Sequence, residues 1–302
     1  MSTRNFSMRS GLRSLLWCGL ASALLLGCGA AGSDSDDGAG SGGNGGGVVR
    51  EGCKADEICE SIAEDVRATC DDSRSGPRLL RRLTRSETEA SLRDIFPELT
   101  TAGWAGVKLS VDSGSKLGFS NDANLLGVGG STAREWQKTA EDVADVLTDD
   151  AVLGTFLPCA SAGNTECATE FVNKVGRRLF RRPLTGDETK RYVDFQASVA
   201  TRSDFTKGLK WTLSSMIQSP NAIYRREIGA EKDGSYQLDQ FELASEIAYM
   251  YSGSTPDEEL LAAAESGQLD GKEAIRAQAE RLLNNHPRLL ANVENFFVEW
   301  LN

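Results

Sequence analysis

The segment RRLFRRPLTGDE at residues 177–188 concentrates positive charge in a chain that is acidic overall. Its four arginines are Arg177, Arg178, Arg181 and Arg182. Guanidinium groups bind carboxylates and phosphates through paired hydrogen bonds. The segment is therefore either an anion-binding patch on the surface or a set of structural arginines that form ion pairs inside the fold. A shorter version of the pattern, RRLTRSE, occurs at residues 81–87.

Both segments have the features of a junction at which one helix ends and the next begins. Pro183 cannot continue a helix. Thr185 and Glu188 have the spacing of a capping box, in which each side chain accepts a hydrogen bond from the other residue's backbone N–H. Thr84 and Glu87 repeat this spacing. We therefore predict the same helix–turn–helix junction at both places, with the arginines in the last turns of the preceding helix.

The segment contains more arginines than are needed to stabilise the end of one helix. A cation in the last turn is stabilised by the helix dipole, but cations four residues apart, such as Arg177 and Arg181, repel each other. We therefore predict that the arginines bind carboxylates within the fold, and that Asp94 or Asp194 ties the two junctions together. An exposed anion-binding patch is the alternative.

Residues that commonly carry catalysis are scarce in this sequence. The single histidine, His286, lies in the sequence NNHPR, and no Ser-His-Asp or Cys-His arrangement can be recognised around it. The cysteines lack the spacing of a zinc site, and we assign no metal ligand. The sequence SNDAN at residues 120–124 offers oxygen atoms to a calcium ion, but Asx turns explain the same residues. No catalytic residue is predicted, and whether the chain is an enzyme stays open.

The N-terminus has the features of a bacterial export signal. Three arginines precede an apolar run at residues 15–26 that is shorter than a transmembrane helix. The run ends in LLGC, which resembles a lipobox, so we predict that residues 1–27 are a signal peptide and that Cys28 carries a lipid. A plain signal peptide cut elsewhere, or a buried cysteine, is the alternative. Residue 29 is Gly and not Asp, and by resemblance to known lipoprotein sorting this favours the outer membrane, with the protein facing the periplasm or the exterior.

The segment that follows the lipid site is dominated by small and polar residues. Residues 28–50 are rich in Gly, Ser and Asp and predict a flexible tether that spans roughly 25 Å. Removing three of the 33 basic residues with the signal peptide leaves 30 against 44 acidic residues, a net charge of −14. Binding to nucleic acid needs basic surface, so a nucleic-acid partner is disfavoured.

Five cysteines remain after the lipid site, and an exported chain is expected to pair them. Cys159 and Cys167 flank the loop CASAGNTEC, and we predict a disulfide between them. If Cys59 and Cys70 share one helix, they lie about 16 Å apart and cannot be bridged. A Cys53–Cys59 bond is possible and would leave Cys70 over.

The remaining sequence predicts an all-α fold. A cap residue followed three positions later by Glu marks six helix starts, at Thr84, Thr132, Thr185, Asp239, Thr255 and Asp270. Apolar residues at helical spacing indicate a bundle or array of about eight to ten helices. Two further helices are predicted at residues 168–182 and 204–218. Residues 97–131 lack this spacing and predict one long irregular loop.

Three stretches resemble a family of exported bacterial proteins. They are RRLTRSETEASLRDIF, GFSNDANLLGVGG and the sequence from RRLFRRPLT to the closing FFVEWL. The family is the domain of unknown function 1592, with neighbouring regions numbered 1587 and 1595. By this resemblance, residues 51–157 form a 1587-like N-terminal region. Residues 158–302 form a 1595-like and then a 1592-like C-terminal region, which we expect to be truncated.

The resemblance implies no established activity. Longer family members look as if they continue into a Cys-x-x-Cys-His haem-attachment motif, so we expect no cofactor in this chain and haem only in a missing C-terminal extension. We expect a membrane-anchored lipoprotein that acts as a non-enzymatic binding or assembly module. Its partner would be an envelope protein or polymer, held through residues 103–130 and the arginines. Part of a larger exported, haem-bearing oxidoreductase is the alternative.

Overall fold

The chain folds mainly into helices. A computed structural model describes residues 79–114, 119–232 and 234–301. Within these ranges there are twelve helices, ten of them with seven or more residues. They are α1 (Arg85–Ile95), α2 (Glu98–Thr101), α3 (Gly130–Leu147), α4 (Asp150–Phe156), α5 (Thr165–Leu179), α6 (Gly186–Arg202), α7 (Phe205–Ile217), α8 (Pro220–Ile223), α9 (Gln240–Ser252), α10 (Glu258–Glu265), α11 (Gly271–Asn285) and α12 (Leu289–Leu301). The predicted all-α fold is confirmed.

Two small sheets accompany the helices. The strands are β1 (Leu79–Arg82), β2 (Tyr224–Glu227), β3 (Ala230–Lys232) and β4 (Ser235–Gln237). β1 pairs with β2 in antiparallel fashion, with Arg82 opposite Tyr224, and β3 pairs with β4. The sequence did not predict these strands, because three or four residues are too few to display the alternation of a strand.

The first copy of the arginine pattern is a strand–helix junction. Arg81 and Arg82 lie on β1, so the helix that begins after Thr84 follows a strand and not another helix. The capping box of Thr84 and Glu87 nevertheless forms at the start of α1. The Arg82 side chain pairs with Asp112 in the following loop. The prediction of two helix–turn–helix junctions is therefore wrong at this copy.

Capping boxes form at half of the predicted helix starts. Both of their hydrogen bonds are present at Thr84, Thr185 and Asp239. The helix α3 instead begins after Gly129, which leaves Thr132 inside the helix, and α10 is capped by Asp257 rather than by Thr255. Asp270 precedes α11 but makes no side-chain cap. The start predicted at Asp270 is therefore correct although its capping box does not form, and the starts predicted at Thr132 and Thr255 are wrong by three and two residues.

The helices enclose two hydrophobic cores. The larger core is built from α1–α5, α7 and α8, and a smaller core lies between α9, α10 and α11. The predicted irregular loop begins with α2, and the described part of residues 102–129 has no helix or strand. Trp104 and Leu126 of this loop are buried. The loop therefore packs on the larger core, which agrees with its content of apolar residues.

The cysteine predictions can be followed at one pair. Cys159 and Cys167 form a disulfide with Cα atoms 5.6 Å apart, which joins the 3₁₀ turn Pro158–Ala162 to the first turn of α5. The predicted lipid site Cys28 and the group Cys53, Cys59 and Cys70 lie outside the described residues.

Candidate functional site

The helix α5 ends at Leu179, earlier than predicted, and this places Arg181 outside the helix. The backbone φ of Arg181 is 56°, in the left-handed region, which costs a non-glycine residue roughly 1–2 kcal/mol. Its buried guanidinium donates hydrogen bonds to the carbonyl oxygens of Leu179, Asn221, Ala222 and Tyr224, at 3.0, 2.7, 3.3 and 2.7 Å. The prediction that Arg181 binds a carboxylate is therefore wrong.

The carbonyls around Arg181 explain how the fold accommodates a buried cation. Leu179 ends α5, and Asn221 and Ala222 lie in α8. The last carbonyls of a helix have no partner within it and carry the negative end of its dipole. Arg181 hydrogen-bonds both helix ends at once. Burial lowers the pKa of its guanidinium, but an arginine side chain stays charged in a protein.

Arg177 and Arg178, in the last turn of α5, bind the helix α10. The Arg177 side chain places its Nε atom 2.6 Å from Oε1 of Glu265 and its Nη1 atom 2.5 Å from Oε2 of Glu258. The Nη1 atom of Arg178 lies 2.9 Å from Oε1 of Glu258. The hydrogen bond to Glu265 raises the pKa of Arg177, against the effect of burial. Burial acts to raise the pKa of Glu258, but the two arginines outweigh it and the pKa is lowered. These two arginines bind carboxylates within the fold, as predicted.

Arg182 binds the glutamate that caps the next helix. Its two terminal nitrogens donate to the two carboxylate oxygens of Glu188, both at 2.8 Å. Glu188 also closes the capping box with Thr185 at the start of α6. The hydrogen bond from Arg182 lowers the pKa of Glu188 to about 2, and the bond from the Thr185 backbone acts in the same direction against burial. The cap and the ion pair therefore hold one carboxylate in place.

The two aspartates that we expected to tie the junctions have other main partners. Asp194 pairs with Lys190 on the surface of α6, so that prediction is wrong. The Asp94 carboxylate binds Arg288 at 2.8 Å. Only the backbone carbonyl of Asp94 accepts a hydrogen bond from Arg178, at 3.4 Å. Asp94 thus connects α1 to the residues before α12 and, through its backbone, to α5.

A second cluster, which the sequence analysis missed, surrounds Arg225 on β2. The Arg225 side chain is 6% exposed and forms ion pairs with Glu227 at 3.0 Å, Glu246 at 3.1 Å and Glu87 at 3.5 Å. Its guanidinium carbon also lies 4.9 Å from the centroid of the Tyr249 ring. The sequence did contain one sign of this cluster, a fourth Arg-Arg pair in YRRE at residues 224–227.

Two carboxyl groups of this cluster have opposite pKa shifts. Burial raises the pKa of Glu246 to about 7, and the negative charge of Glu227 adds to this while Arg225 opposes it. Burial also acts to raise the pKa of Glu227, but Arg81 and Arg225 outweigh it and the pKa is lowered. The two groups are hydrogen-bonded to each other. The Glu246 carboxyl therefore keeps its proton to a higher pH than an exposed glutamate does, while Glu227 stays ionised to a lower pH.

The other residues with chemical potential have structural contacts. His286 directly follows the last residue of α11, and its Nδ1 atom accepts a hydrogen bond from the backbone N–H of Arg288 at 3.2 Å. The Asp122 carboxylate accepts a bond from the backbone N–H of Asn124 at 2.9 Å, which is an Asx turn. In the part of the chain that the structure describes, no group of three His, Cys, Asp or Glu residues could hold a metal ion. None of the described helices is long and apolar enough to cross a membrane.

Family models match three successive parts of the chain. Residues 81–148 match "Protein of unknown function (DUF1587)", residues 167–227 match "Protein of unknown function (DUF1595)" and residues 238–302 match "Protein of unknown function (DUF1592)". The chain carries these three domains. No curated protein and no solved structure matches it.

The arginine contacts join all three domains to one another. Arg225 of the DUF1595 domain pairs with Glu87 of the DUF1587 domain and with Glu246 of the DUF1592 domain. Ser91 of the DUF1587 domain is hydrogen-bonded to Tyr249 of the DUF1592 domain at 3.0 Å. The buried Arg225 therefore links the DUF1595 domain to both of the other domains, whereas the four carbonyls that Arg181 binds all lie within the DUF1595 domain.

An open depression lies between the DUF1595 and DUF1592 domains. Phe241 forms part of its wall, and Arg182 and Arg226 line it. Arg182 is paired with Glu188, and Arg226 lies 3.6 Å from Glu242. Because both cations already face carboxylates, we assign no anionic ligand to this depression.

The helix α12 of the DUF1592 domain is rich in large apolar residues, and many of them face solvent on one side of the helix. On the inner side, Phe296 stacks on Phe119 with ring centroids 5.5 Å apart, and Glu299 accepts hydrogen bonds from Ser120. The outer side exposes Leu290, Phe297, Val298, Trp300 and Leu301, by 63, 38, 61, 57 and 76%. The apolar side of a helix ordinarily faces the core of a globular protein. This outer side is the candidate functional site.

Proposed function

We propose that this chain is a non-enzymatic binding module that holds a partner protein in the bacterial envelope. The outer side of α12 is its binding surface, and the exposure of five large apolar side chains there is the observation that carries the proposal. This choice replaces the arginines and the loop that we expected to bind the partner. The arginines have internal partners, and the loop packs on the core.

The size of the exposed apolar surface supports this assignment. If a fully exposed large apolar side chain presents about 150–200 Å², the five residues present roughly 450–600 Å² together. That lies at the upper end of the largest apolar patch of a typical soluble monomer, and such patches are often binding sites. Tryptophan and phenylalanine are also enriched in the buried centre of protein–protein interfaces, which contributes most of the binding energy.

The position in the envelope rests on the sequence. The lipobox-like LLGC would place a lipid on Cys28, and residues 28–50 would act as the tether to the outer membrane. A module held in this way presents α12 to proteins of the periplasm or of the cell surface. The other prediction from the family resemblance, part of a haem-bearing oxidoreductase, stays a prediction.

Capture from envelope extracts tests the proposal. The bait is the full chain with Cys28→Ser, which blocks the lipid site, compared with the same chain carrying Trp300→Glu. Trp211→Glu is the matched control, because Trp211 is 44% exposed and lies on a different helix, α7. We expect the same protein bands with the first bait and with the control, and at least a ten-fold loss with Trp300→Glu. Equal capture by all three baits, or no captured protein, would refute the proposal.

A further inference from the structure

Four residues of α12 have the spacing of a seam along which two helices pair. Leu290, Glu294, Phe297 and Leu301 follow one another at intervals of four, three and four residues, which is a heptad pattern. Residues at this spacing lie on one stripe of a helix, and all four side chains are exposed. We call these four residues the α12 seam. A helix of this length offers about 20 Å of contact to a neighbouring helix.

The one charge in the α12 seam has no counter-ion. Glu294 is exposed, and no described residue forms an ion pair or hydrogen bond with its carboxylate. The helix itself contains no lysine or arginine. The closest basic residue in the sequence, Arg288, is bound to Asp94. A surface that covers the seam must therefore bring its own cation or leave this carboxylate unpaired.

A second copy of the chain does not meet this requirement. In a parallel pair, Glu294 would face its own copy. In an antiparallel pair that aligns Leu290 with Leu301 of the second copy, the two Glu294 residues would lie only about 4–5 Å apart along the helix axis. Either arrangement places two negative charges in an apolar interface, and like charges there cost several kcal/mol. The seam therefore disfavours pairing with itself.

We propose that the α12 seam binds a helix of another protein, one with an apolar stripe and a lysine or arginine that pairs with Glu294. A single polar residue in an otherwise apolar seam is a known means of selecting one partner and rejecting others. This inference rests on the proposed function, because it states the chemistry of the partner at the same surface.

The chain itself supplies a probe with this chemistry. The Glu294→Lys variant presents the same apolar stripe with a cation in place of the carboxylate. Full-length chains with Cys28→Ser and alkylated free thiols are studied by analytical ultracentrifugation, each alone and in an equimolar mixture. We expect the wild type and Glu294→Lys to be monomers alone and to form a heterodimer when mixed. The dissociation constant of the heterodimer should rise with salt, because salt screens the attraction between Glu294 and the introduced lysine as the two chains approach each other.

A second variant tests the role of Glu294 directly. Glu294→Leu completes the apolar stripe and removes the like charges, so we expect it to form a homodimer at least about 100-fold more tightly than the wild type. Glu280→Leu is the matched control, because Glu280 is an exposed glutamate on the neighbouring helix α11. We expect this control to remain a monomer.

Four results would overturn the inference. A wild-type homodimer would make the partner a second copy. A mixture that stays monomeric, or a monomeric Glu294→Leu, would show that the seam does not pair helices in this way. Flotation of the wild type with phosphatidylcholine–phosphatidylglycerol vesicles that is lost in Trp300→Glu would make the partner a lipid surface. Selective loss of envelope capture by Trp300→Glu, together with any of the first three results, would leave the proposed function standing.

Discussion

Replacing Arg181 with alanine should destabilise the domain far more than replacing its neighbour Arg182. Arg181 donates hydrogen bonds to four backbone carbonyls, including those of Asn221 and Tyr224, and its side chain is buried. The substitution removes every donor and leaves the acceptors in place. Arg182 makes one paired contact with Glu188, and both side chains are partly exposed. The two variants therefore compare the loss of a buried set of hydrogen bonds with the loss of an ion pair near the surface.

The size of the effect follows from the unpaired carbonyls. A buried polar group without a partner costs about 1–3 kcal/mol, but entry of water and the release of a desolvated charge recover part of this. We expect Arg181→Ala to lower the free energy of unfolding by about 3 kcal/mol. In a domain of this size that corresponds to a melting temperature lower by roughly 6–12 °C. For Arg182→Ala we expect about 1 kcal/mol, in the range of partly exposed ion pairs.

A glycine variant separates the backbone from the side chain. Arg181→Gly loses the same guanidinium as Arg181→Ala, but glycine adopts a φ of 56° without steric cost. We therefore expect Arg181→Gly to be about 1 kcal/mol more stable than Arg181→Ala. Urea unfolding followed by circular dichroism, with scanning calorimetry for the melting temperature, measures all three variants. If Arg181→Ala melts at the wild-type temperature, the proposed role of the buried guanidinium is wrong. If Arg181→Gly is less stable than Arg181→Ala, the argument from the backbone conformation is wrong.

Two further predictions concern the buried carboxyl pair and the packing of glycines. Burial raises the pKa of Glu246 from 4.5 to about 7, so its contribution to stability is complete below pH 4.5 and is lost as the pH rises through about 7. Urea titrations should therefore show Glu246→Gln gaining stability relative to the wild type between about pH 5 and about pH 8, and a constant difference would contradict this. Gly208→Ala should cost about 1–3 kcal/mol, because its new Cβ would lie 2.8 Å from the backbone oxygen of Gln196. Gly154→Ala, which meets nothing within 4 Å, is the control and should be neutral or stabilising by up to about 1 kcal/mol; equal melting temperatures for the two alanine variants would contradict the packing argument.

Local sequence rules predicted the parts of this fold that depend on neighbouring residues. The capping boxes at Thr84 and Thr185 need only a residue three positions away, and both formed. The end of α5 did not follow the local pattern, because Arg181 leaves the helix to reach carbonyls about 40 residues later in the chain. The strand β1 was missed for a similar reason, since its partner strand is distant in the sequence.

The candidate site was harder to predict than the fold. The arginines of α5 were recognisable as a cluster, but which of them meet carboxylates depends on where α8 and α10 pack. The cluster around Arg225 combines three separate parts of the chain, and no spacing rule connects them. The apolar composition of α12 was visible in the sequence, but the pattern alone does not tell which side of such a helix faces solvent.

The pairing of β1 with β2 has a consequence for the order of folding. The Arg81 side chain donates a hydrogen bond to Glu227, 146 residues later, so forming this contact closes the DUF1587 and DUF1595 domains into one loop. Closing a loop of that length is slow, because the chain loses conformational entropy before the contacts that stabilise the closed loop have formed. The strand β1 therefore lacks its hydrogen-bonding partner until β2, Tyr224–Glu227, has been added to the chain and can pair with it. A chain that crosses a membrane from its N-terminus would remain open at β1 until most of the protein has emerged on the far side.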